Sequence, residues 1–133
     1  MTNPLVVDAS ALVALLVDAG ETGEAVASAV ASHELHSPDL ALAETANVLR
    51  RQELAGRLQP VEATLAHADL LELPLRTWPY AALAERSWEL RGSLTAYDAS
   101  YVVVAELLGA PLVTLDARLS RAPGPRCPFL VPG

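Results

Sequence analysis

The stretch TAYDASYVVVAELLGAPLVTLDARL, residues 95–119, decides the fold. Tyr97 and Asp98 lead into an apolar helix, and Gly109 is its expected C-terminal stop. Pro111 to Leu115 (PLVTL) then reads as a strand of the buried, parallel type, with Asp116 immediately after it. The other end of the chain has the same form. Residues 4–8 (PLVVD) read as a short buried strand ending in an aspartate. A helix follows it, with Ser10 as its expected cap and Leu12, Leu15 and Leu16 at core spacing. Between these ends the spacing predicts a helix over 22–32, an extended stretch from His33 to Ser37, and a long helix from Ser37-Pro38-Asp39 to about Arg57. Pro60 opens another helix that ends near Leu73, Leu75 to Trp78 reads as a strand, and Pro79 begins a helix to about Arg91. Phe129 to Val131 is the last strand candidate, inside a proline- and glycine-rich tail from Ala122. Strands separated by helices imply a parallel sheet covered on both faces, with ligands beyond the carboxyl ends of its strands.

Composition excludes whole chemistries. The chain has 133 residues and a formal net charge of −7, and its nine basic residues are all arginine. That length fits one domain over 1–133, burying roughly two-thirds of its unfolded surface. With 52% apolar residues and a positive mean hydropathy, disorder is not the default reading. Without lysine, a P-loop NTPase, a Schiff-base enzyme or a phospho-receiver domain lacks its ammonium group. The lone Cys127 makes neither an intramolecular disulfide nor a thiolate zinc site, which favours a reducing cytoplasm. The run Ala9–Val17 lies between Asp8 and Asp18, too short for a membrane span and without a signal peptide's positive start. An acidic balance argues against nucleic-acid binding by charge alone.

Four carboxylates fall where chemistry is expected. Asp8 and Asp116 end strands, Asp98 sits at a helix N-terminus, and Glu44 lies within a helix two turns before Arg50 and Arg51. Singly, the aspartates read as helix caps and the glutamate as a solvated helix residue. Gathered within about 5 Å, such charges repel by roughly 3 kcal/mol per pair at an effective dielectric of 20. A fold tolerates that when a cation or protons relieve it. Hard oxygen donors without histidine or thiol point to magnesium or manganese, not zinc.

In order, D-A-S at 8–10, E-T-A-N at 44–47, T-A-Y-D-A at 95–99 and L-V-T-L-D at 112–116 resemble the PIN domain, as found in the ribonuclease toxins of bacterial VapBC toxin–antitoxin pairs. The resemblance covers nearly the whole chain, and the run Thr95 to Leu119 carries most of it. It implies an α/β/α sandwich around a mostly parallel sheet of about five strands, with an acidic site at its C-terminal edge. It implies that Asp8, Glu44, Asp98 and Asp116 bind one or two Mg2+ or Mn2+ ions and cleave RNA, leaving a 5′-phosphate and a 3′-hydroxyl. Ser10 and Thr114 match supporting hydroxyls of the pattern, and Asn47 its polar residue one turn after the glutamate. The resemblance further implies a homodimer and a VapB-like antitoxin that blocks the site. Two other readings stand beside it: a PIN-type RNA-processing nuclease that is not a toxin, and a non-catalytic α/β module whose acids only cap helices.

The remaining features carry less. Arg50, Arg51 and Arg118 are candidate phosphate contacts and equally candidate solvated side chains. The leucines of 39–57 and 60–73 serve mainly the core, with some left for an antitoxin helix or a second copy. Trp78 and Trp88 read as core or dimer-interface packing, Tyr97 equally as a core residue or one that shapes the site, His33 and His36 as a pair that could share one helix face without a third ligand, and His67 as surface or packing. A phosphatase of the HAD type requires D-x-D and a lysine, but Ser10 stands at the second aspartate's place.

Overall fold

The apolar run at the N-terminus pairs on both of its sides, and that fixes the architecture. In the computed structural model, which describes residues 3–133, β1 (Pro4–Val7) lies between β2 (Glu34–Pro38) and β4 (Leu112–Val113). Outside them lie β3 (Leu75–Trp78) and β5 (Phe129–Leu130), giving the order β3-β2-β1-β4-β5 with every pairing parallel. Val6, Val7, Leu112 and Val113 are fully buried, as central strands covered on two faces require.

Among the described residues seven α-helices flank the sheet in an α/β/α sandwich: α1 (Ala9–Val17), α2 (Glu21–Val30), α3 (Leu40–Leu54), α4 (Pro60–Glu72), α5 (Ala84–Glu89), α6 (Ala96–Leu108) and α7 (Ala117–Ser120). α6 lies against β1, β2 and β4, and Ala99 through Ala105 are buried without interruption. Each large apolar side chain fully withdrawn there contributes about 1.5–3 kcal/mol. A smaller cluster of Leu49, Leu58, Ala63 and Ala66, with Leu16 and Val17 against it, joins α3 and α4 to α1. Among the described residues no helix is long and apolar enough to cross a membrane.

Several boundaries differ from the sequence expectation for local reasons. β1 stops at Val7 because Asp8, not Ser10, caps α1, its side chain accepting from the Ala11 N–H. The helix expected over 22–32 ends at Val30, just before Ser32 at φ 65°. Pro38 ends β2 rather than opening α3, and α3 stops at Leu54 because Gly56 turns back at φ 77°. The helix expected from Pro79 to Arg91 is a single 3-10 turn, Tyr80–Ala82, followed by α5, which begins only after Leu83, whose N–H bonds back three residues to the Tyr80 carbonyl. β4 is shorter than PLVTL because the Leu115 N–H leaves the ladder for a side chain. His33 and His36 share no helix: His33 precedes β2 and meets the Asn3 carbonyl, and His36 lies in β2, where its Nδ1 accepts from Trp78 Nε1. Trp88 does not pack in the core. It is 65% exposed, with the Arg91 guanidinium 4.6 Å above its ring. Tyr97 likewise projects outward at 63% exposure.

Candidate active site

The connectivity opens a crevice at one place. The chain runs outward from β1 through β2 to β3, then crosses back to lay β4 and β5 on the other side. β1 and β4 therefore flank the switch point, where loops leaving the strand ends diverge and ligands bind. Val7 is in register with Val113, so Asp8 and Thr114 come next, side by side at the carboxyl edge.

Asp8 is buried and held by both oxygens. Its Oδ1 accepts from Ser10 Oγ at 2.6 Å and from the Ala11 N–H at 3.0 Å, and its Oδ2 accepts from Thr114 Oγ1 at 2.5 Å. The hydroxyls are oriented in turn, because Ser10 Oγ accepts the Leu115 N–H and Thr114 Oγ1 the Asp116 N–H, each at 3.0 Å. A hydroxyl has one proton, and in both cases it is committed to Asp8. The end of β4 thus fixes the Asp8 carboxylate through two side chains.

The other three acids arrive on separate helices. Asp98 stands in the first turn of α6, but Thr95 is the cap there, its Oγ1 accepting the Asp98 N–H at 3.1 Å. Glu44 is half-buried on α3, and Tyr101 of α6 donates its hydroxyl to Glu44 Oε1 at 2.9 Å. Asp116 caps α7 through Oδ1, while its Oδ2 lies 3.5 Å from Arg118 Nη2. Capping therefore accounts for Asp8 and Asp116, and not for Asp98 or Glu44.

The electrostatics agree with a crowded anionic site. Burial pushes the carboxyls of Asp8, Glu44 and Asp98 above their ordinary range. The Asp98 charge raises Asp8 and Glu44 further, and the Asp116 charge raises Asp98. The hydrogen bonds to Asp8 and Glu44 only partly offset this, as do Arg51 near Glu44 and Arg118 near Asp98.

All four acids line one cleft of about 780 Å³, together with Ser10, Asp18, Arg51, Gln52 and Arg57. A second depression of about 430 Å³ shares Asp98 and Asp116 with it and carries Arg118 and Arg121. The carboxylates thus have arginines on two sides. Among the described residues, no three acidic, histidine or cysteine side chains are gathered closely enough to enclose a cation as they stand. The donor set nevertheless suits a hard divalent ion. The four side chains offer only oxygen, and in three of them burial and mutual repulsion oppose an ionisation that a cation would restore.

The structure brings together Asp8, Ser10, Glu44, Asp98, Asp116 and Arg51 in the main cleft, Thr114 beneath Asp8, and Arg118 at the second depression. Asn47 is exposed on α3 and, like Arg50, lies outside the cleft lining. Sequence reasoning missed Arg57, which the turn at Gly56 folds back toward the cleft, and Arg121. It also missed Tyr101, whose signal was its place three residues after Asp98 on one helix face.

Comparison with known proteins gives the same arrangement a lineage. The PIN domain family model matches residues 5–125. Ribonuclease VapC9 of Mycobacterium tuberculosis is 40% identical over 127 residues, 96% of this chain and 97% of that protein. The crystal structure of PAE2754 from Pyrobaculum aerophilum superposes with a TM-score of 0.69 at 28% identity, covering 97% of this chain and 84% of that one. VapBC2 from Rickettsia felis, solved bound to a promoter DNA fragment, shares the fold at a TM-score of 0.68 and 15% identity, covering 96% of this chain and 97% of that one.

Proposed function

The chain belongs to the PIN domain family, and on that premise we propose that it is a ribonuclease toxin of the VapC kind, an Mg2+- or Mn2+-dependent endoribonuclease restrained by a cognate antitoxin. The observation that carries this reading is the convergence of Asp8, Glu44, Asp98 and Asp116 in one cleft at the carboxyl edge of the sheet. In this reading Asp8, Asp98 and Asp116 hold the cation, and Glu44 takes a second ion or orients the attacking water. Bound there, divalent charge lowers the pKa of water and relieves charge on the phosphoryl oxygens.

The rest of the chemistry falls to the chain's own groups. Ser10 and Thr114 keep both oxygens of Asp8 aimed, so that the site is organised before substrate arrives. Water adds to phosphorus while the bond to the 3′ oxygen breaks, giving a 5′-phosphate and a 3′-hydroxyl. Arg51 and Arg57 on one side, and Arg118 and Arg121 on the other, are placed to meet phosphates flanking the scissile one. Asn47 and Arg50 lie outside the lining of this cleft.

Leu54, Val61, Leu65 and Leu71 leave apolar surface on α3 and α4, suited to an antitoxin helix or a second copy in a homodimer. A reducing cytoplasm suits the single, half-buried Cys127, whose thiol burial pushes up to about 11. The test is incubation with total RNA, with and without Mn2+, of wild type and Asp8→Asn. Cleavage by wild type with metal alone, reduced at least about 100-fold in the variant, is the expected result. Metal-independent cleavage, or cleavage retained in Asp8→Asn, contradicts the reading.

A further inference from the structure

One buried hydroxyl ties Glu44 to the helix that carries Asp98. Tyr101 is 1% exposed, its ring packed in the main core beneath the site. Its Oη donates to Glu44 Oε1 at 2.9 Å across the gap between α6 and α3. Tyr101 also stands one helical turn after Asp98. A buried phenol facing a carboxylate has one proton to give, and here it goes to Glu44. Neither the sequence motifs nor the nuclease chemistry above uses this group.

We propose that Tyr101 is a positioning residue of the acidic site, acting through Glu44. It pins Oε1 and so presents the other carboxylate oxygen to the cleft, where the described side chains give it no hydrogen-bond partner. A glutamate on an exposed helix face samples many rotamers, and fixing one costs entropy that a bound cation or an ordered water would otherwise have to supply. Here the cost is met on folding, by a donor whose own orientation is set by its packing in the core. α6 therefore places Asp98 directly and Glu44 through Tyr101. This rests on the reading of the acids as a divalent-cation site.

The experiment is a double-mutant cycle of Tyr101→Phe and Glu44→Gln, read first as Mn2+ affinity by calorimetry on RNA-free protein, then as kcat and KM on RNA. Phenylalanine keeps the buried ring, so melting should stay within a few degrees of wild type. Tyr101→Phe should weaken Mn2+ binding about 10-fold and lower kcat by a similar factor, with KM for RNA within about twofold. On the Glu44→Gln background the same change should add less than about twofold, because its target is gone. Unchanged Mn2+ affinity with a lowered melting temperature would make Tyr101 merely structural and overturn the proposal, as would full additivity with Glu44→Gln. Wild type that binds Mn2+ with this Tyr101 dependence yet cleaves no RNA would uphold the proposal and sink the nuclease reading instead.

Discussion

At the scale of single residues the site is a set of carboxyls kept in an unfavourable state. Asp8, Glu44 and Asp98 have folded pKa values above their unfolded ones, so between those values the folded protein holds more protons than the unfolded chain. Stability of the metal-free protein from these groups therefore falls as pH rises through that window, and is regained as pH drops back through the raised values. Asp98→Asn tests the sign. It removes a charge that presses on Asp8 and Glu44 and spends no cap, because Thr95 fills that role. Without metal the variant should melt at the wild-type temperature or a few degrees above it, with a flatter dependence on pH above the ordinary carboxylate range. A clearly lower melting temperature at neutral pH would show that the carboxylate is a structural asset. Much of this was legible from residue order alone, since D-A-S, the glutamate, T-A-Y-D-A and L-V-T-L-D fall where the fold gathers them. The role of Ser10 was not. A serine two residues after a strand looks like a cap, and only the parallel register of β1 with β4 shows its hydroxyl joining Leu115 to Asp8.

At the scale of elements, the strands and helices read best where apolar content was densest. α6 and the strands β1 and β4 were plain, because a fully buried helix and two fully buried strands leave little else for those residues to do. Segments governed by one backbone torsion were not. The early end of α3 depends on Gly56, and with it goes the return of Arg57 to the cleft; after Pro79 the chain first closes bonds three residues back, and α5 begins only beyond them. Tyr101 was invisible for another reason, since its value lies in a contact 57 positions away in sequence. The junction of α1 and α2 offers an element-scale test at Gly23. Alanine is the better helix former by up to about 1 kcal/mol. A Cβ there, however, would lie 1.8 Å from the Asp18 carbonyl oxygen, which is backbone and cannot swing aside. Gly23→Ala should therefore destabilise by about 1–3 kcal/mol in urea denaturation. Gly92→Ala, whose Cβ meets nothing within 4 Å, should stay within about 0.5 kcal/mol of wild type. Equal behaviour of the two would mean that α2 does not sit tightly on the end of α1.

At the scale of the whole molecule, a net charge of −7 without one lysine looks unsuited to RNA. The structure relocates part of that charge. Five of the sixteen acidic residues, the four candidate ligands and Asp18, line one cleft, flanked by arginines rather than spread among them. In the proposed nuclease, divalent cations reverse the local sign and admit a phosphate, while the remaining acidity keeps the protein soluble. RNA affinity then depends on metal and a few arginines instead of a broad basic face. Beneath this lies one claim, that the four acids form a single divalent-cation site. Calorimetric titration of Mn2+ into RNA-free protein, repeated at falling pH in buffers of different ionisation enthalpy, tests it most directly. Wild type should bind saturably and release more protons the lower the pH, because the raised carboxyls must ionise to take the ion, and Asp98→Asn should lose most of that binding. Saturable binding that is identical in Asp98→Asn, or no binding at millimolar Mn2+, would contradict the claim.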